Sequence, residues 1–194
     1  MFRAIMDHAD AHKILKHFQH GFRSQHSCET QLVNTIEDLA KGLNYHQQLD
    51  LIILDFSKAF DVVGHQRLLS KLDHYGIRGK TLLWLQDWLT GRTQRVVVDG
   101  ESSDDAPVLS GVPQGTVLGP LMFILYINDI STETSSSIRL FADDSLLYRI
   151  VKGTQDASML QWDLNQLCRW AQSWQMDFNP IKCYVLSVTK KKSH

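Results

Sequence analysis

Three carboxylates set the chemical question. Asp143 and Asp144 are adjacent in Ala142-Asp143-Asp144, and Asp55 closes the aliphatic run Leu49 to Leu54. Hard oxygen ligands on rigid elements are what magnesium takes, and enzymes of phosphoryl transfer hold two such ions with a few carboxylates. An Asp-Asp pair alone is ordinary turn chemistry, and the loop pair Asp104-Asp105 is read that way. Asp55 shifts the balance, because a charge at the end of a buried strand is costly unless it is paired or binds a cation. Ser110 to Pro120 adds a second locus: three glycines and two prolines make it a shaped loop. Followed by apolar Leu121 to Ile130, it reads as a loop and helix suited to face phosphate.

The elements that must position these groups follow from periodicity. Leu49 to Leu54 is short and nearly all Leu and Ile, which suits a strand buried on both faces. Ser137 to Phe141 and Ser145 to Ile150 are extended runs on either side of Ala142-Asp143-Asp144, hence a tight hairpin with the paired carboxylates at its tip. Antiparallel packing of that hairpin beside the Asp55 strand brings all three acids into one cluster. Helices are expected near Ile5 to Leu15, over Gln66 to Tyr75 closed by Gly76, and over Lys80 to Leu89 closed by Gly91. Leu32, Val33, Ile36, Leu39, Ala40 and Leu43 mark a core-facing helix starting near Ser27, and Leu160, Leu164, Leu167, Ala171 and Trp174 a long amphipathic one. Thr93 to Val98 and Ile181 to Val188 read as strands, Thr132 to Ser137 as a polar surface loop.

With 194 residues and 43% hydrophobic content the chain is one domain or slightly more with a sizeable core, undivided by repeat or linker. No apolar run approaches the roughly 20 residues that span a bilayer, and no secretory signal is visible, so a soluble intracellular protein is expected. Cys28, Cys168 and Cys183 are far apart and odd in number, which gives neither a disulfide framework nor a zinc site; buried or idle thiols are expected. A net charge of −1 gives no general attraction to a polyanion. The local basic clusters Arg67 with Lys71, Arg78 with Lys80, Arg92 with Arg95, and Lys190 to Lys192 read as solvated faces. His8 and His12, four apart, lack the further ligands of a metal site, and Trp162, Trp170 and Trp174 read as packing residues.

The motifs together resemble those of the non-LTR, or LINE-type, reverse transcriptases. Leu54-Asp55-Phe56-Ser57-Lys58-Ala59-Phe60-Asp61 is similar to the first catalytic motif of that family. Ser110-Gly111-Val112-Pro113-Gln114-Gly115 with Leu118-Gly119-Pro120 resembles its nucleotide- and template-contacting loop, and Phe141-Ala142-Asp143-Asp144 its second catalytic motif. Gln19-His20-Gly21-Phe22-Arg23 and Ser27 to Leu32 resemble a fingers-palm segment, and Asn179-Pro180-Ile181-Lys182 the lysine motif. Order and spacing agree, and the likeness covers nearly the whole chain.

The resemblance implies an α+β fold: a right-hand polymerase palm, an antiparallel sheet packed on helices, with part of the fingers. It implies RNA-directed DNA polymerisation on an RNA template from a DNA primer with dNTPs. Asp55, Asp143, Asp144 and the Phe56 carbonyl would hold two Mg2+ ions, with Mn2+ a substitute, and Lys182 would donate a proton to pyrophosphate or pair with the triphosphate. Phe60 would exclude a 2′-hydroxyl, Pro113, Gln114 and Gly115 would meet the nucleotide, and Arg23 would touch template or nucleotide or brace the fingers through a salt bridge. Asp61 is assigned to an ion pair or loop capping. The family's upstream fingers hairpin and downstream thumb are not recognised here, so a partial domain of a longer polyprotein is expected, whose other domains are partners and whose action is nuclear, without a clear import signal. An RNA-dependent RNA polymerase, a non-catalytic remnant that binds nucleic acid or a partner, and a metal-dependent nuclease remain as alternatives.

Overall fold

The computed structural model describes residues 1–45 and 47–190. In chain order the elements are α1 (Phe2–Ala11), α2 (Cys28–Asn44), β1 (Gln48–Leu54), α3 (His65–His74), α4 (Gly79–Leu89), β2 (Thr93–Gln94), β3 (Val97–Val98), β4 (Glu101–Ser102), β5 (Ala106–Pro107), α5 (Leu118–Tyr126), β6 (Ser137–Phe141), β7 (Asp144–Val151), α6 (Thr154–Ser173) and β8 (Tyr184–Val188). They form two compact units, Met1–Ile14 with Phe60–Tyr126, and Leu15–Ala59 with the chain from Ile127 onward. No helix among the described residues is long and apolar enough to cross a membrane.

The second unit is built on a four-stranded sheet of order β6-β7-β1-β8, antiparallel throughout. The expected hairpin is present: Phe141 pairs with Asp144, leaving Ala142 and Asp143 as a two-residue loop. Strand β1 is less buried than its composition implies, since Ile53 is 41% exposed. The strand begins at Tyr184 rather than Ile181 in β8, whose Tyr184, Val185 and Leu186 are exposed and whose outer edge carries no further strand among the described residues. Helix α6 packs on β7, and α2 lies against β1 and β6.

Helix α2 starts where Ser27 predicts. The Ser27 hydroxyl accepts from Thr30 N and the Thr30 hydroxyl accepts from Ser27 N, a reciprocal cap that contributes about 1 kcal/mol. Its expected core face is corrected: Leu32, Val33 and Ile36 are exposed, whereas Gln31 and Gly42 are buried and Leu39 packs on Leu49, Leu51 and Tyr148. Gln31 faces inward because its amide donates to the Leu140 carbonyl. Periodicity shows that a stripe exists; it does not show which side the sheet covers.

The Thr132 to Ser137 stretch is likewise anchored. Asp163, fully buried on α6, accepts from Ser135 N at 3.0 Å, Ser136 N at 2.7 Å and the Ser135 hydroxyl at 3.1 Å. A second satisfied acid, Asp38, accepts from Arg139 Nη2 at 2.6 Å and from the Tyr148 hydroxyl. Burial pushes both carboxyls up, but these hydrogen bonds outweigh it and hold them below the ordinary aspartate range.

In the first unit, α3 and α4 end within two residues of the glycines that the sequence marks. Helix α5 begins at Leu118, three residues early; Pro120 sits in its first turn, where a missing N–H breaks no helical bond, and Leu121 to Tyr126 are all buried. Lys71 is not on a solvated face: it is 4% exposed, donates to the Tyr126 carbonyl and lies 5.0 Å from that ring's centroid. Helix α1 is tied to α3 by His8, whose Nε2 lies 2.8 Å from the Tyr75 carbonyl. The expected strand over Thr93 to Val98 is split between two short pairs, β2 with β5 and β3 with β4: Val96 N donates to the Ser103 hydroxyl where two residues face three, and Asp99 and Gly100, both at positive φ, turn the chain at the tip. The cysteines are free thiols, with Cys28 and Cys168 on the surface rather than buried. Of the Lys190 to Lys192 cluster, only Lys190 lies within the described residues.

Candidate active site

The sheet register assembles the acids. Leu54 is opposite Ser145 in the β1–β7 ladder, so one residue further the pattern sets Asp55 across from Asp144, with Asp143 beside it in the loop. Past β1 the chain pairs on its other edge with Asp177 to Asn179: Ser57 N donates to Asp177 O and Asn179 N to Asp55 O, each at 2.8 Å. The rings of Phe56 and Phe178 stack there at 4.4 Å. These two bonds flank Phe56, and in an antiparallel pair of this kind the flanked residue turns its own N–H and C=O to the opposite edge. That is the edge of β1 on which the hairpin lies, so the Phe56 carbonyl is directed to the acids' side.

Lys182 joins them. Its Nζ stands 3.0 Å from Asp55 Oδ2, close but poorly aligned, so that this buried oxygen has charge compensation without a hydrogen bond. The contact with Asp55, then that carboxylate's charge, holds the Lys182 ammonium above the usual lysine range, with Asp143 and Asp144 adding to it. Asp144 is pushed up by partial burial and then by the charges of Asp143 and Asp55, with Lys182 opposing. The acids share one end of the sheet without converging: among the described residues no three His, Cys, Asp or Glu side chains form a ready-made metal site. Three like charges repel when only one lysine offsets them. An oxygen-only donor set, a buried carboxylate oxygen without a hydrogen bond and uncompensated negative charge fit a hard divalent cation.

In the first unit the Ser110 to Gly115 loop is built onto the segment that follows Ala59. Val112 N donates to Phe60 O and Gly111 N to Val63 O, and Gly64 and Ser110 form a bridge. Asp61 holds both ends: its carbonyl accepts from the Ser110 hydroxyl at 2.8 Å, and its carboxylate from Gln114 Nε2 at 2.6 Å. Gly111 must be glycine here, at φ +87° and with a Cβ position 2.8 Å from Asp61 O. The Gln114 amide is therefore fixed with its nitrogen toward an acceptor-only carboxylate. Gly115 and Gln114 are exposed, Pro113 half-buried, and the Phe60 ring stacks on Phe123 at 4.3 Å.

A comparison with protein families decides the assignment, for the family described as "Reverse transcriptase (RNA-dependent DNA polymerase)" matches residues 1–193. The chain belongs to the reverse transcriptase family. Its relatives are polymerases of mobile elements, as the non-LTR motifs imply. The chain is 32% identical over 183 residues to "RNA-directed DNA polymerase from mobile element jockey" of Drosophila melanogaster, covering 90% of this chain and 20% of that protein. It is 29% identical over 200 residues to "Probable RNA-directed DNA polymerase from transposon X-element" of the same fly, covering 97% and 21%. The chain thus spans about a fifth of the length of these relatives. Among solved structures, apo telomerase from Candida tropicalis superimposes with a TM-score of 0.69 at 10% identity, over 99% of this chain and 41% of that one, a likeness of fold.

Within this reverse transcriptase chain, Arg23 is braced through carbonyls rather than a salt bridge: Nη1 donates to Lys16 O at 2.8 Å and Gln19 O at 3.3 Å. Trp170 is a packing residue that donates to Asp129 Oδ1 at 2.9 Å, while Trp162 is exposed. Asp61, assigned from the sequence to an ion pair or loop capping, is the anchor of the Gln114 loop. Gln19 was given no role of its own: it is a fully buried amide bonded to the Ala142 backbone beside Asp143. Gln19 lies inside a motif that the family resemblance marks, yet a polar residue between two histidine-containing segments carries no signal of burial.

Proposed function

We propose that this chain is the catalytic palm of an RNA-directed DNA polymerase, working within a longer mobile-element protein on an RNA template, a DNA primer and dNTPs. The carrying observation is the set of acids at one end of β1 and β7, with a buried Asp55 oxygen left without a hydrogen bond and one lysine against three carboxylates. Asp55, Asp143 and the Phe56 carbonyl would hold two Mg2+ ions, with Asp144 a third carboxylate. Bound there, the ions supply activation of the primer 3′-hydroxyl and charge neutralisation at the triphosphate.

The chain's own groups do the rest. Lys182, an ammonium held charged by its acidic neighbours, gives a proton to, or pairs with, the departing pyrophosphate. Phe60, backed by Phe123, opposes a 2′-hydroxyl and so selects deoxynucleotides. Gln114, Pro113 and Gly115 contact the nucleotide through an amide and accessible backbone, and Arg23 shapes the segment beside the template. A nuclear site of action belongs to the same reading.

Primer extension on an RNA template with Mg2+ and dNTPs tests it, comparing the chain, its Asp143→Asn variant and a version lengthened to match its relatives. Dideoxynucleotide-sensitive extension that Asp143→Asn abolishes is expected. Activity that survives Asp143→Asn, or none in the lengthened form, overturns the proposal.

A further inference from the structure

The hairpin tip that carries Asp143 is not shaped by its own sequence. Ala142 takes a φ of +54°, a conformation unfavourable for any residue with a Cβ and usually left to glycine in a two-residue hairpin loop. Something outside the hairpin has to hold it. The Gln19 side chain, 1% exposed, does so: Nε2 donates to Ala142 O at 3.2 Å, and Oε1 accepts from Ala142 N at 3.0 Å. Gly21 N donates to the same oxygen at 2.7 Å, which fixes the amide's direction. An amide that pairs with both backbone groups of one residue copies a rung of a β-ladder.

The support for Gln19 is also rigid. Leu140 N donates to Phe18 O and His20 N to Leu140 O, each at 2.9 Å, so the backbone on both sides of Gln19 is laid along β6. Gly21 continues it so closely that a Cβ there would stand 2.2 Å from Ala142 N. We propose that Gln19 is a positioning residue for the Asp143 and Asp144 carboxylates: by completing both hydrogen bonds of Ala142 it keeps the turn in the one shape that presents them as ligands. This rests on the reading of those acids as metal ligands. Gln19→Glu keeps size and acceptor but sets a carboxylate oxygen against the Ala142 carbonyl, and Gln19→Met keeps volume alone.

The test is Mn2+ binding to the chain, followed by paramagnetic relaxation, with melting temperature measured in parallel. Wild type should bind and Asp143→Asn should not. Gln19→Glu and Gln19→Met should weaken binding at least about fivefold, because ligand geometry rather than ligand number is lost. Ser135→Ala, which trims the Asp163 network, should lower the melting temperature but leave Mn2+ affinity unchanged. Hydrogen exchange in the wild-type chain gives a readout that needs no variant: the Ala142 amide should be protected. Wild-type affinity in a folded Gln19→Glu or Gln19→Met chain, or unprotected Ala142 exchange, overturns the positioning role. Wild-type binding indifferent to Asp143→Asn overturns the metal reading, and the proposal with it.

Discussion

Two sets of acids in the same unit are treated in opposite ways. Asp163 and Asp38 are surrounded by donors, from Ser135 and Ser136 in one case and Arg139 and Tyr148 in the other, and both are held below the ordinary carboxyl range. Asp55, Asp143 and Asp144 share one end of the sheet with one lysine beside Asp55, a buried Asp55 oxygen has no hydrogen bond, and Asp144 is pushed up. On the proposed function the difference has a reason: acids that serve the fold are met by donors of the chain itself, whereas acids proposed to take an ion keep donor capacity unmet.

The largest test separates the sets by activity. In a form long enough to polymerise, Asp55→Asn or Asp143→Asn should lower primer extension by about a thousandfold or more while leaving the melting temperature within a few degrees. An equal loss from Asp38→Asn would erase the distinction. The next concerns stability alone: Asp163→Ala should cost about 3 kcal/mol in urea unfolding, since it leaves the buried Ser136 N–H and the part-buried Ser135 N–H without an acceptor.

A smaller effect has the opposite sign in the two sets. A carboxyl held low stabilises the fold above its unfolded value and loses that contribution as pH falls through its folded value, so Asp163 and Asp38 should weaken the fold in acid. Asp144, held high, is ionised in the folded state at a cost above its raised value and at none below the ordinary aspartate value of 3.8. Asp144→Asn should therefore raise the melting temperature of the metal-free chain by about 1–2 °C at neutral pH, with the gain vanishing near pH 3. A gain that grows in acid would contradict this. The smallest change expected is in Lys182→Ala, which removes an exposed competitor for Asp55 and should tighten Mn2+ binding about two- to fivefold. Weaker binding would show that the lysine supports the ion instead.

How much of this was legible in the sequence depended on the range of the interaction. The hairpin around Asp143 and the strand before Asp55 follow from local signals, two extended runs about a turn and a short aliphatic run. The cap at Ser27 does too. What failed was anything decided by a distant neighbour. The α2 stripe of Leu32, Val33 and Ile36 was legible as a stripe but faces solvent, because Gln31 reaches Leu140 across 109 residues. Lys71 read as surface because nothing in the chain near it announces the Tyr126 carbonyl 55 residues away. Gln19 reaches Ala142 over 123 residues, and the single acids Asp38 and Asp163 gave no local sign of their donors. The acids' types and order pointed to cations, whereas the spacing of their side chains, no three of which stand close enough among the described residues for a ready-made site, is visible only in the geometry.

The outer edge of β8 has a consequence for handling the molecule. A row of open backbone donors and acceptors flanked by exposed Tyr184, Val185 and Leu186 is a template on which another extended chain can grow. At the concentrations that spectroscopy requires, the first competitor for that edge is a second copy of the same strand. Self-association through it should rise with concentration and with salt. A lysine in place of Val185, an exposed side chain of that strand, is the change that would keep the preparation monomeric.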